Sequence, residues 1–139
     1  MNIAFFLTPK SELIYEMADS TMRQVLERME HHGYSAIPII DNYGKYIGTL
    51  TEGDLLWKIK NTPGLSFRNT SKVLVRDIER RKKHEVVTIN ADINNIIILA
   101  QSQNFVPVVD DEGIFIGIIK RGDIIDYCYN LIADKKMII

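Results

Sequence analysis

Gly48-Thr49-Leu50-Thr51-Glu52-Gly53-Asp54-Leu55-Leu56 ends one apolar run and opens another, and a variant of it returns as Gly117-Ile118-Ile119-Lys120-Arg121-Gly122-Asp123-Ile124-Ile125. In both copies a polar or basic side chain stands at a strand-to-helix junction and an acid follows three residues later. Unpaired backbone N–H groups and the positive end of the helix dipole gather at such a junction, so it suits an anion. Thr51 with Asp54 also has the spacing of a capping box, in which hydroxyl and carboxylate each bind a backbone N–H of the other's residue. One copy alone would imply no more than that cap.

Working outward, the residues before each motif form a hairpin. Ala36-Ile37-Pro38-Ile39-Ile40 reads as a buried strand, Asp41 to Gly44 as a turn, and Lys45 to Leu50 as the returning strand, followed by a helix from Gly53 to Lys60. Phe105 to Val109, Asp110 to Gly113, and Ile114 to Ile119 repeat the pattern, with a helix from about Gly122 towards Ala133. Pro38 and Pro107, Asp41 and Asp110, Gly44 and Gly113, Gly48 and Gly117, Gly53 and Gly122, and Asp54 and Asp123 all pair at one offset of 69. A helix precedes each hairpin. Thr21 caps the first, with Gln24 three residues on and Gly33 as its stop; Asp92 opens the second. The spacing predicts a turn at Thr8 to Ser11 and a strand around Leu13 to Tyr15 before the first helix, and a strand at Val86 to Ile89 before the second. The domain division is therefore 1–64 for the first repeat, 65–85 for a polar connector and 86–139 for the second, with residues from Lys135 onward expected to fray.

Composition narrows the function. With 139 residues, 46% hydrophobic and 25% charged, the chain has the make-up of a globular protein able to form a real core. A formal net charge of −1 gives no global field for recruiting nucleic acid or an anionic membrane. The single Cys128 excludes an intramolecular disulfide and points to a reducing cytoplasm, and neither a signal peptide nor a membrane span is evident. Each repeat is too small to bury its own sheet and helix faces, so the expected α/β (α+β) fold packs two βαββα units about a pseudo-twofold axis, with a ligand cleft at each of two related seams.

These residues closely resemble the tandem CBS-domain proteins, or Bateman modules, of the stand-alone bacterial type. The resemblance runs from about Phe6 to Leu131 and rests on two hairpins that follow a hydrophobic-Pro-hydrophobic strand and end in Gly-x-hydrophobic-Thr-x-x-Asp or its variant. It implies a pseudo-symmetric disc that pairs into a homodimer and senses ligands rather than catalysing. The implied ligand is AMP, ADP or ATP, with cyclic di-AMP or S-adenosylmethionine as alternatives, and no cofactor is required. Asp54 and Asp123 match the acid that accepts hydrogen bonds from both ribose hydroxyls, as an acceptor-only carboxylate can. Thr51 matches a hydroxyl that contacts ribose or phosphate. Tyr34, Ser35, Ala36 and Ile37 in one repeat, and Asn104, Phe105 and Val106 in the other, match the wall against which adenine lies. In the family's crossed arrangement Thr51 and Asp54 work with Val87, Thr88 and Phe105, while Lys120 and Asp123 work with Ile14, Tyr34 and Ala36.

Two departures shape the expectation. Lys120 replaces the family's Ser or Thr, which places a cation near a would-be phosphate. No Arg or His stands before Pro38 or Pro107, so a di- or triphosphate would need the connector from Arg76 to Lys83 folded over a cleft. Asp54 is expected in the more family-like site, and Asp123 in one that favours a phosphate near Lys120.

The blander readings are helix-end acids for Asp54 and Asp123, core positions for Tyr34 and Phe105, a core or dimer-interface Trp57, and a solvated connector for Arg80-Arg81-Lys82-Lys83. The rival functions are a nucleic-acid or protein interaction module working through that basic connector and, ranked below it, an enzyme. No nucleophile-base-orienter set, Gly-rich phosphate loop or metal-ligand spacing appears. The reading is thus a non-enzymatic, cytoplasmic regulatory module whose output passes to a separate, unidentified protein partner.

Overall fold

A computed structural model describes residues 2–135. The chain packs as two units, one made of residues 14–84 and the other of residues 2–13 together with 85–135.

In the first unit β2 (Glu16–Met17) runs parallel to β3 (Ala36–Ile40), which pairs antiparallel with β4 (Tyr46–Thr51). Helices α1 (Met22–His32) and α2 (Glu52–Asn61) supply the other layer. Helix α1 begins as its sequence requires: Thr21 and Gln24 form a reciprocal capping box, and Gly33 ends the helix in the left-handed region at φ 69°. Met22, Val25 and Met29 of α1 pack on Ile37, Ile39, Leu50 and Leu55.

The second unit repeats this plan. β5 (Val87–Thr88) is parallel to β6 (Phe105–Val109), which is antiparallel to β7 (Phe115–Lys120), with α3 (Ile93–Ala100) and α4 (Arg121–Asp134) alongside. Its core joins Ile96, Ala100, Val106, Val108, Ile119 and Ile124 to Ile3 from the N-terminal segment.

The offset of 69 is physical. In each hairpin the turn aspartate accepts two backbone N–H bonds on Oδ1, from Tyr43 and Lys45 at Asp41 and from Glu112 and Ile114 at Asp110. Gly44 and Gly113 share a φ of 84°, a left-handed conformation that glycine adopts without a Cβ penalty. Each hairpin also carries an irregularity at the same place, between Ile39 and Ile40 and between Val108 and Val109.

Three expectations are corrected. The predicted turn at Thr8 to Ser11 is instead β1 (Leu7–Pro9), an edge strand antiparallel to β7, and a 3-10 turn over Lys10–Glu12. An edge position tolerates Pro9, which has no N–H to give. The strand expected around Leu13 to Tyr15 falls at Glu16–Met17, next to a carboxylate that no apolar pattern could reveal. Glu16 is buried and accepts bonds from Ser20 Oγ (2.6 Å), Arg28 Nε (2.8 Å) and its neighbour's amide. The polar connector, finally, is an integral part of the first unit. Val75 and Ile78 lie in its core, and the amides of Met22, Val75 and Arg76 bind the carbonyls of Val73, Ser20 and Ala18. Of the tail expected to fray, Lys136 to Ile139 lie outside the described residues.

Candidate functional site

Both motifs begin a helix in the same way. The first amide of α2, Glu52 N, binds Ser35 O (3.0 Å), and the first of α4, Arg121 N, binds Asn104 O (3.1 Å). Each helix N-terminus is thereby pinned beside the residue that leads into the first hairpin strand. Beyond that point the two copies diverge.

At the first motif the capping box forms. Thr51 Oγ1 accepts from Asp54 N (3.2 Å), and Asp54 Oδ2 accepts from Thr51 N (2.9 Å). The other carboxylate oxygen, Oδ1, accepts from Arg81 N (3.0 Å), and Asp54 is only 4% exposed. The connector thus runs across the motif. The Arg80 side chain lies over Gly48, where a Cβ would overlap its guanidinium. The Arg81 guanidinium stands 5.7 Å from the ring centre of Trp57, as does the Lys60 ammonium. A pocket of about 360 Å³ opens beside them, lined by Asp54, Trp57, Lys58, Asp77, Glu79 and Arg81 among others.

At the second motif Lys120 occupies the N-cap and makes no side-chain cap bond. Without a hydroxyl there, no capping box draws Asp123 inward. Asp123 is exposed in the first turn of α4, and Lys120 beside it is exposed as well.

The expected adenine walls are only partly available. Both β3 and β6 are buried at all five positions, so Ile37 and Val106, expected to line a ligand, place their side chains in the two cores. Ala36 and Phe105 are each 7% exposed and sit opposite Thr51 and Lys120 in their hairpins. Tyr34 is exposed, binds Met29 O through its amide, and lines an apolar groove of about 520 Å³ with Leu26, Leu55, Leu56 and Ile59. Thr88 is exposed on β5.

Sequence reasoning missed two polar residues that shape these surroundings. Gln103, 2% exposed, accepts from Glu85 N (2.7 Å) and donates to Glu85 O and Phe105 O, which ties the entry of the second repeat to β6. Its own carbonyl accepts from Arg121 Nε (3.0 Å), so it also steadies the start of α4. A lone glutamine between a helix end and an apolar strand was the available signal. Tyr46 bonds to Thr49 Oγ1 at 2.6 Å beneath Arg80; burial pushes its hydroxyl up to about 12, against the opposing pull of the Thr49 bond and the Arg80 charge. It stays protonated at any physiological pH.

The basic connector is not a free patch. Arg76 pairs with Asp19, and Arg80 and Arg81 are engaged as described. His84, which closes this segment, is buried with Nδ1 near Lys82 O. Burial lowers its pKa below the ordinary 6.5 and the Lys82 charge adds to this, while the Lys82 carbonyl and Asp54 oppose it. The unfolded chain therefore binds a proton on His84 that the folded chain resists. The stability so held is full above the unfolded value and is lost as pH falls below about 6.5 towards the folded value. Urea midpoints measured from pH 7.5 to 5 are expected to fall, and His84→Gln is expected to flatten the fall.

Among the described residues no group of three or more His, Cys, Asp or Glu could hold a metal ion, and no helix is long and apolar enough to cross a membrane.

Two hairpin-helix repeats, each carrying an acid at the third position of its last helix, define a CBS pair. The CBS domain pattern matches residues 7–61 and 75–130, and the chain belongs to that family. It is 27% identical to an uncharacterized protein of Methanopyrus kandleri over 89% of this chain and 62% of that one. It is also 26% identical to an uncharacterized protein of Methanocaldococcus jannaschii over 99% and 48%. The chain thus spans 48% to 62% of the length of these relatives. Its fold matches CbpB, solved in complex with c-di-AMP, at a TM-score of 0.84 with 20% identity over 98% of this chain and 89% of that one. It matches CBSX2, solved in complex with AMP, at 0.74 with 23% identity over 94% and 97%.

Proposed function

We propose that the chain is a regulatory module that binds an adenine nucleotide or a related adenosyl ligand at its hairpin-helix motifs. The observation that carries the reading is Asp123, an exposed carboxylate on the first turn of α4 with the Lys120 ammonium at the N-cap. A ribose presents two vicinal hydroxyl donors to such an acceptor, and a phosphate finds a cation and a helix N-terminus three residues away. The complexes of CbpB with c-di-AMP and of CBSX2 with AMP support this class of ligand. AMP, ADP, ATP, cyclic di-AMP and S-adenosylmethionine are the candidates. The reading includes a cytoplasmic homodimer that changes its affinity for a protein partner when the nucleotide favours one of two conformations. Apolar side chains exposed on α3 and α4, Ile98, Ile125, Tyr129 and Ile132, support a dimer. Engagement of Arg76, Arg80 and Arg81 within the first unit argues against the nucleic-acid alternative.

Calorimetric titration with AMP, ADP, ATP, NAD, S-adenosylmethionine and cyclic di-AMP is the test. Saturable heat is expected from at least one, and Asp123→Ala is expected to abolish it. No heat from any of them would overturn the reading.

A further inference from the structure

Asp54 and Asp123 occupy equivalent places in the sequence, yet they are chemically unlike. A carboxylate offers about four lone-pair positions. At Asp54, Oδ2 holds the Thr51 amide and Oδ1 holds the Arg81 amide, and the residue is only 4% exposed where it borders the pocket beside Trp57. A vicinal diol therefore meets two carboxylate oxygens that already hold backbone donors while residue 81 stays in place.

The segment that closes it is built like a strap. Ile78 is buried at one end and His84 at the other. The five residues between them have no regular secondary structure, and 79 and 81–83 are exposed. Among the contacts that hold the strap down are the Arg81 amide on Asp54, the Arg81 guanidinium over Trp57, and the Arg80 side chain over Gly48. All three are local and none involves the apolar core, so the strap can lift while Ile78 and His84 stay anchored.

We propose that residues 79–83 are an internal competitor for the diol of a nucleotide ribose, which closes the Asp54 motif and leaves the Asp123 motif as the site that fills first. This rests on the nucleotide reading above and deepens it: the chain takes one ligand at Asp123, and a second binds at Asp54 only when the strap lifts. Any signal that removes the strap, including a partner that grips its basic side chains, raises the nucleotide capacity of the chain.

Calorimetry with AMP and with cyclic di-AMP tests the competition. Wild type is expected to bind at one site per chain, lost in Asp123→Ala and kept in Asp54→Asn. Two strap variants keep the test independent of any one substitution. The Arg80→Ala/Arg81→Ala pair removes both side-chain anchors, and Gly48→Ala evicts the Arg80 side chain, whose flexible end can move aside. In each, a second binding event is expected, with affinity at least about ten-fold above any weak second event in wild type, the equivalent of roughly 1.4 kcal/mol or one net hydrogen bond. Adding Asp54→Asn to either variant is expected to remove that event.

Heat in wild type with no gain in either strap variant would overturn the competition alone. Weaker binding in the arginine pair would do the same, because it would make the arginines ligand contacts. Loss of the wild-type event in Asp54→Asn would show Asp54 to be open and would also overturn it. No heat in any variant would overturn the nucleotide reading and the competition together.

Discussion

Gly117→Ala is expected to detach the N-terminal strand and to destabilise the second unit by about 3 kcal/mol, the upper part of the range for overpacking. The reason is a backbone approach. A Cβ on Gly117 would overlap the Thr8 carbonyl oxygen and come within 2.8 Å of Leu7 Cδ1 and 3.2 Å of Pro9 Cα. Side chains can rotate away from such a clash; the Thr8 carbonyl cannot without breaking the β1–β7 register that aligns Leu7, Thr8 and Pro9 with Ile119, Ile118 and Gly117. Moving β1 also pulls on Ile3 and Phe6, which pack on the core of this unit. Lower urea midpoints and faster tryptic cleavage after Lys10 would report the change. Gly48, the repeat partner of Gly117, is the internal control. The three atoms nearest a Cβ there all belong to the flexible Arg80 side chain, so Gly48→Ala should cost less than about 1 kcal/mol, as substitutions away from rigid features do. Equal losses at the two glycines would refute this account.

That pair shows what a sequence can and cannot convey. Gly48 and Gly117 give the same signal at the same place in the repeat, and both do stand where something passes close by. What passes is different, a flexible arginine in one case and a strand backbone in the other, and neither neighbour lies near in sequence. The features that were legible are local ones: the turn aspartates with their paired N–H bonds, the Thr21–Gln24 box, the αL glycines and the alternation of apolar strands with helices. These depend on residues at most four apart, and they repeat because the local physics does. The connector was misread because its average composition is polar while its burial rests on two residues, Val75 and Ile78, whose partners lie tens of residues away. The burial of the expected adenine walls was hard to read for a related reason. A strand covered on both faces has no side left for a ligand, and five consecutive buried positions look the same in sequence whether the second cover is core or solvent-facing cleft. The strap over Asp54 was beyond reach altogether, since its decisive contact is the backbone N–H of Arg81, which every residue except proline carries.

The sharpest consequence is that two aspartates matched residue for residue should respond oppositely to the same mutation. Asp54→Ala removes a buried carboxylate and takes away the acceptor that it offers to two backbone donors, the amides of Thr51 and Arg81. Hydrogen bonds to charged acceptors contribute about 1.5–3 kcal/mol each, and part of the Arg81 contribution returns when the exposed strap rehydrates, so a net loss of about 3 kcal/mol is expected. Asp123→Ala removes an exposed acid whose contribution is its interaction with the α4 dipole, about 0.3–1 kcal/mol. Trp57, the single tryptophan, lies on α2 three residues from Asp54, so its fluorescence in a urea titration reads the first unit directly. Asp54→Asn separates the two parts of the effect: the amide keeps one oxygen acceptor and loses the other, so it should fall between wild type and Asp54→Ala. A ligand acid held open by the fold would show the reverse pattern, with a small stability loss and a large binding loss, which is the behaviour expected of Asp123. Similar stability losses at the two aspartates would mean that the Asp54 bonds carry little weight, and the strap would then lose its anchor.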